Sequence, residues 1–242
     1  MKRLLVIGAS SDIAMSVSKI FGKNNYDLTL ALRNPSDLKD FADEIRKDFN
    51  IDVHLLSLDI LDFSSHTEIA KKIGNFDGVF CSIGYLGDQK KAEKNFHEAK
   101  TIINSNFLGI ASMVNELVSI MEDRGKGFLI VISSVAGDRG RSSNYFYGSA
   151  KAALNTYLSG LRARLYKKNI NVMIVKPGYV KTKMIAGIET PKLLTVSPDF
   201  VAKKIYKGYL TKKETIYVSS IWKLIMIIIR NIPERIFKKI DL

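Results

Sequence analysis

The chain has 242 residues, 46% apolar and 25% charged, the balance of a globular domain; collagen-like, mucin-like and disordered readings are excluded. One cysteine, Cys81, and three scattered histidines exclude a disulfide scaffold and a zinc module, and they suit a cytoplasmic protein. Basic residues outnumber acidic ones by 37 to 24, a formal charge of +13, and over half of that surplus falls between residues 201 and 242.

Met1-Lys2-Arg3 and the apolar residues behind them resemble a secretory signal, but the apolar run is too short for one and reads as a strand over 4–7. The turn Gly8-Ala9-Ser10-Ser11-Asp12 then opens a helix over 11–23, whose first amides suit a pyrophosphate. Further strands are expected over 27–32, 53–58, 78–83, 128–133, 171–176 and 215–218. Helices fall between them, near 36–49, 64–73, 98–123, 144–168 and 198–210. The strands are continuously apolar rather than alternating, as a parallel sheet buried on both faces requires. The expected fold is therefore α/β, a three-layer doubly wound Rossmann fold with a central parallel sheet of about seven strands. Ligands bind such sheets beyond the carboxyl ends of the strands. There is no internal repeat and no linker, so residues 1–219 read as one domain and 220–242 as a basic, apolar tail.

Within the helix over 144–168, Tyr147 and Lys151 are four residues apart, about one turn, and share a face. An ammonium beside a phenol lowers its pKa from about 10, which makes Tyr147 a usable general acid or base. Ser134 lies thirteen residues earlier at a strand end, and Asn106 forty-one residues earlier within Asn106-Phe107-Leu108-Gly109. Pro177-Gly178 follows the next strand. With Gly8 and Asp59 in order, this set resembles the short-chain dehydrogenase/reductase family over residues 2 to 218.

The resemblance implies hydride exchange between a nicotinamide and a ketone or alcohol, with Tyr147 protonating the oxygen and Ser134 polarising it. It implies that Lys151 holds the nicotinamide ribose and that Asn106 holds a relay water. Cofactor contacts carried over are Gly8, Ser10, Ser11, Asp12, Ile13, Asp59, Ile60, Ser82, Gly84, Pro177, Gly178, Val180 and Thr182, besides Tyr147 and Lys151. At the end of the second strand Arg33 stands where an acid would favour NAD; its guanidinium suits a 2′-phosphate, so NADP(H) is expected. No metal is called for. The family also implies a homodimer or homotetramer, paired through the helices over 98–123 and 144–168.

Asp12 and Ala14 replace glycines common in the family, and Cys81-Ser82-Ile83-Gly84 replaces its usual Asn-Asn-Ala-Gly. Either Ser82 takes over the lost asparagine bonds or the site loosens. These variants resemble a bacterial branch that includes the reductase acting on decaprenylphosphoryl 2-keto-ribose. The segment after Pro177, with Lys181, Lys183 and Lys192 among Met184, Ile185, Ile188 and Leu193, is expected to close over substrate. A lipid-linked keto sugar of cell-envelope polysaccharide synthesis fits that mixture; a 3-oxoacyl thioester, or a non-catalytic NADP(H)-binding scaffold, are the alternatives. Residues 221–229 are apolar around nearly the whole helix except Lys223, too short to cross a bilayer, and suit a helix lying on the inner membrane face, packing on the body or forming a dimer contact. So greasy a tail argues against nucleic acid.

Overall fold

The computed structural model describes residues 1–240. In chain order it runs β1 (Lys2–Ile7), α1 (Asp12–Lys23), β2 (Tyr26–Leu32), α2 (Lys39–Phe49), β3 (Val53–Ser57), α3 (His66–Ile73) and β4 (Gly78–Cys81). Next come α4 (Gln89–Lys94), α5 (Phe96–Ile103), α6 (Gly109–Arg124), β5 (Gly127–Ile132), α7 (Tyr145–Leu165) and β6 (Ile170–Lys176). The chain continues through β7 (Tyr179–Val180), β8 (Thr195–Val196), α8 (Pro198–Leu210), β9 (Thr215–Tyr217), α9 (Ser220–Asn231) and α10 (Glu234–Phe237).

Seven strands form one parallel sheet in the order β3-β2-β1-β4-β5-β6-β9, the doubly wound arrangement expected, with the winding reversing between β1 and β4. Alternate residues of each strand enter opposite cores. Leu4 and Val6 pack with α1, α2 and α8 on one face, while Leu5 and Ile7 pack with α3, α6 and α7 on the other. The register aligns the carboxyl ends: Ile7 pairs with Ala31 and with Cys81, Cys81 with Val131, and Ile132 with Val175. The loops holding Gly8, Arg33, Ser82, Ser134 and Pro177 therefore leave one edge of the sheet side by side.

The structure departs from the sequence reading in three places. The helix expected over 98–123 begins at Phe96 and is interrupted by a π-helical turn, Asn104–Leu108. There the Asn106 amide donates to the Ile102 carbonyl at 2.8 Å, and a Cβ on Gly109 would lie 2.4 Å from the Ile60 carbonyl oxygen. The widened turn lets the helix pass Ile60, and only glycine fits at that crossing. Second, β7 and β8 form a small parallel ladder, Tyr179 to Thr195 and Val180 to Val196, that pins both ends of the segment after Pro177.

Third, α9 is two-faced. Trp222, Met226 and Ile229 are buried with Val135 and Phe237, whereas Ile221, Leu224, Ile227 and Ile228 are exposed. The Trp222 indole donates to the Leu194 carbonyl at 3.0 Å and lies so close to Gly178 that a Cβ there would meet the ring at 2.0 Å. Arg139 fastens the far end: its guanidinium donates to the Ile229 carbonyl at 2.9 Å and the Ile232 carbonyl at 2.6 Å, pairs with Glu234 at 2.8 Å, and stacks 3.9 Å over Phe237. Carbonyls that a helix end leaves without partners are thereby satisfied from the body. Among the described residues, no helix is long and apolar enough to cross a membrane.

Candidate active site

The first turn is built for close approach. Gly8 sits at φ +74°, and a Cβ there would lie 2.7 Å from the Ser82 carbonyl oxygen, so the turn accepts only glycine. Ser11 caps α1 by accepting from the Ala14 amide at 3.1 Å, and its hydroxyl also bonds that of Ser82 at 2.8 Å. Ser82 thus braces the end of β4, the task an asparagine at 81 would share. The Cys81 thiol is buried, and burial pushes it up to about 11, so it stays protonated and unreactive at neutral pH. Ser10 is exposed at the tip of the turn and Ile13 is buried beneath it. Asp12 reaches across the cleft: its carboxylate accepts from the Lys183 amide at 2.8 Å, tying the turn to the segment that follows Thr182.

Arg33 is exposed beyond β2, and among the described residues no carboxylate pairs with it. Asp59 is exposed and caps its own turn, accepting from the Leu61 amide at 3.0 Å. Ile60 is buried against α6. On the other flank the Pro177 carbonyl accepts from the Val135 amide at 3.1 Å, Gly178 is covered by Trp222, and Val180 is buried within β7. Every strand-end residue singled out from sequence therefore lies along the same edge of the sheet.

At the centre is Lys151, 1% exposed on α7, an unusual place for an ammonium. It donates to the carbonyls of Ile83 and Ile132, both at 3.3 Å, from the ends of β4 and β5. Burial draws it down to about 8. Its ammonium lies 5.7 Å from the centre of the Tyr147 ring. Tyr147 differs from expectation. Burial pushes its phenol up to about 12, opposed by the hydrogen bond from Ser134, and Lys151 does not offset the rise. An ammonium over the ring is not at the hydroxyl, so the phenol keeps its proton. Ser134 stands at the end of β5, where its hydroxyl also accepts from the Ala136 amide at 3.1 Å.

Asn106 is fully buried and its amide is occupied: it donates to the carbonyls of Tyr85 at 2.6 Å and Ile102 at 2.8 Å, and accepts from the Tyr85 amide at 3.2 Å. Both donors are spent, so the side chain positions the loop after Gly84 and offers no donor to a relay water. Two features escaped the sequence reading. Buried Glu98 gathers the Tyr85 hydroxyl at 2.7 Å and the Asp88 amide at 3.2 Å, fixing that same loop. The Asp138 side chain is 4% exposed and joins Lys176 at 2.6 Å and the Tyr217 hydroxyl at 2.6 Å, which locks the Ser134 loop to Pro177. Both acids are isolated in sequence, and only the sheet order brings their partners near.

The donors present suit a dinucleotide. The first turn presents amides at a helix N-terminus, Arg33 is free for a phosphate, and Lys151 has three N–H groups but two protein acceptors, leaving one for a ribose hydroxyl.

The short chain dehydrogenase family model matches residues 2–192. The chain belongs to the short-chain dehydrogenase family. It is accordingly an oxidoreductase of the NAD(P)-dependent type. It is 31% identical over 216 residues to an uncharacterized oxidoreductase of Mycobacterium tuberculosis, covering 88% of this chain and 86% of that one. It is 30% identical over 188 residues to the NADP-dependent 3-hydroxy acid dehydrogenase of Schizosaccharomyces pombe, covering 75% and 73%. A short-chain dehydrogenase from Sphingobium yanoikuyae, solved with NADPH, superposes with a TM-score of 0.82 over 97% of each chain at 18% identity, a likeness of fold.

Proposed function

We propose that this short-chain dehydrogenase reduces a ketone to a secondary alcohol with NADPH, Tyr147 serving as the proton donor. The observation that carries the reading is the Ser134, Tyr147 and Lys151 cluster, closed over the ends of β4 and β5 with the phenol protonated. Bound NADPH supplies the hydride for the carbonyl carbon. The chain supplies the rest: Tyr147 gives its proton to the carbonyl oxygen as charge grows there, and Ser134 donates a hydrogen bond to the same oxygen. Lys151, charged at neutral pH, holds the ribose with its spare N–H. Asn106 acts by position, keeping the π-helical turn and the Gly84 loop in register with Lys151. Arg33 gives NADP(H) its preference over NAD(H), in keeping with the NADP-dependent relative and the NADPH-bound neighbour.

The segment after Pro177 carries Lys181 and Lys183 with Ile185 and Ile188, and with Asp12 and Thr195 these line a cavity of about 550 Å³ beside the first turn. Cations alternating with aliphatic side chains suit a polyprenyl-phosphate-linked keto sugar, the substrate class of the bacterial branch that the first-turn variants resemble. A second reading, reduction of a 3-oxo acid or its thioester, draws on the relative named as a 3-hydroxy acid dehydrogenase. NADPH consumption against lipid-linked keto sugars, 3-oxoacyl thioesters and 3-oxo acids separates them. Consumption with the first alone supports the proposal, consumption with either of the others overturns its substrate, and binding without consumption of any would leave a nucleotide-binding scaffold. The active unit is proposed to be a homodimer or homotetramer paired through α5, α6 and α7, checked by sedimentation equilibrium.

A further inference from the structure

The exposed half of the tail has no use in the reaction, and its chemistry is specific. Ile221, Leu224 and Ile228 recur at helical spacing along α9 with Ile227 beside them, and Ile236 and Ile240 extend the stripe past Pro233; all are at least 39% exposed. Lys223 and Arg230, seven residues apart, run along one border of the stripe. Beside its far end opens a pocket of about 410 Å³, lined by Arg141, Ser142, Phe237, Lys238, Lys239 and Ile240. Among the described residues no carboxylate forms an ion pair with Arg141, which feels Asp138 only at a distance; its Nε is buried without an acceptor and its Nη2 meets the Met226 sulfur at 3.7 Å. The acid in the pocket wall, Glu234, is already paired with Arg139.

We infer that this face docks on an anionic phospholipid bilayer, the aliphatic stripe entering the interface and the Arg141, Lys238 and Lys239 pocket receiving a lipid phosphate. Charge decides the occupant. Among the described residues α9 and α10 with their flanks carry Lys223, Arg230, Arg235, Lys238 and Lys239 against Glu234 alone. A second copy meeting this face across a two-fold axis would set those cations against themselves. An anionic membrane offers them phosphates and takes up the aliphatic stripe in one contact. The twelve residues of α9 cannot span a bilayer, and Arg139 and Trp222 hold the helix flat against the body. The helix therefore lies in the interface with its buried face still on the protein. The inference stands whatever ketone the enzyme reduces.

Because the tail's inner face is part of the core, the test uses exposed side chains rather than truncation. The full chain is floated with vesicles of phosphatidylcholine alone and of phosphatidylcholine with phosphatidylglycerol, at low and high salt. Binding is expected to the anionic vesicles and to weaken at high salt. Leu224→Ser with Ile228→Ser, and separately Lys238→Ala with Lys239→Ala, should each lower partitioning about tenfold or more, with NADPH affinity and thermal midpoint unchanged. Wild-type protein that stays with the soluble fraction, or variants that float as the wild type does, would overturn the inference. So would wild type that fails to float but loses a dimer on the Leu224 and Ile228 changes, since the face would then belong to a second copy.

Discussion

Replacing Lys151 by Met removes a charge from the core and changes how stability depends on pH. In the fold burial draws the ammonium down to about 8 from the ordinary 10.5. The unfolded chain holds that proton up to 10.5 and the folded one releases it near 8, so between these values the unfolded state binds more protons and stability rises with pH. The cost of burying the charge is full below 8 and is relieved as pH climbs toward 10.5. Each pKa unit is worth about 1.4 kcal/mol, so the whole cost is about 3 kcal/mol, of which about 2 kcal/mol is recovered between about pH 7 and about pH 9.5. Met keeps the length of the side chain and leaves the Ile83 and Ile132 carbonyls without a donor, a loss that does not vary with pH. Urea unfolding of both proteins at the two pH values gives the double difference, in which titrating groups that do not interact with Lys151 cancel. Wild type should gain about 2 kcal/mol relative to Lys151→Met on going from the lower to the higher pH. Equal changes in the two proteins would refute the reasoning, because they would mean that the ammonium is not desolvated in the fold.

Tyr147→Phe should lower turnover about 10³-fold, the scale of a positioned proton donor, with NADPH titrations showing unchanged affinity. Arg33→Ala should weaken NADPH about tenfold, as expected for a lost charge-assisted phosphate contact, and leave NADH affinity unchanged in the same titration. Trp222→Ala opens a hollow against Gly178 and frees the Leu194 carbonyl; it should cost about 3–5 kcal/mol in urea unfolding and speed proteolysis between residues 181 and 196.

Much of this was legible in the sequence because the fold is written in runs of apolar residues. The strands at 4–7, 27–32 and 128–133 are continuous, aliphatic and bounded by turns, and all three take their places in the sheet. Tyr147 and Lys151 were legible for the same reason: both sit on one helix, where spacing alone fixes a shared face. What spacing cannot convey is burial from a distant element. The expected lowering of the Tyr147 phenol fails because burial raises it and the ammonium meets the ring rather than the hydroxyl. The resemblance gives Asn106 a relay water; the structure adds what sequence does not display, the bonds of its side-chain amide to the Tyr85 and Ile102 carbonyls. The tail read as apolar all round because composition does not say which isoleucines face the body; Arg139 and Trp222, far apart in sequence, decide that. Conversely, the doubt raised by Cys81 is answered by one bond, Ser82 to Ser11.

The central claim is that this edge of the sheet holds NADPH in preference to NADH. Titration of the purified protein with each nucleotide, followed by nicotinamide fluorescence, tests it before any substrate is known. The account predicts saturable NADPH binding, tighter than NADH by about tenfold for the phosphate contact with Arg33. Equal affinity for both would contradict the role given to Arg33, and no binding of either would contradict the account as a whole.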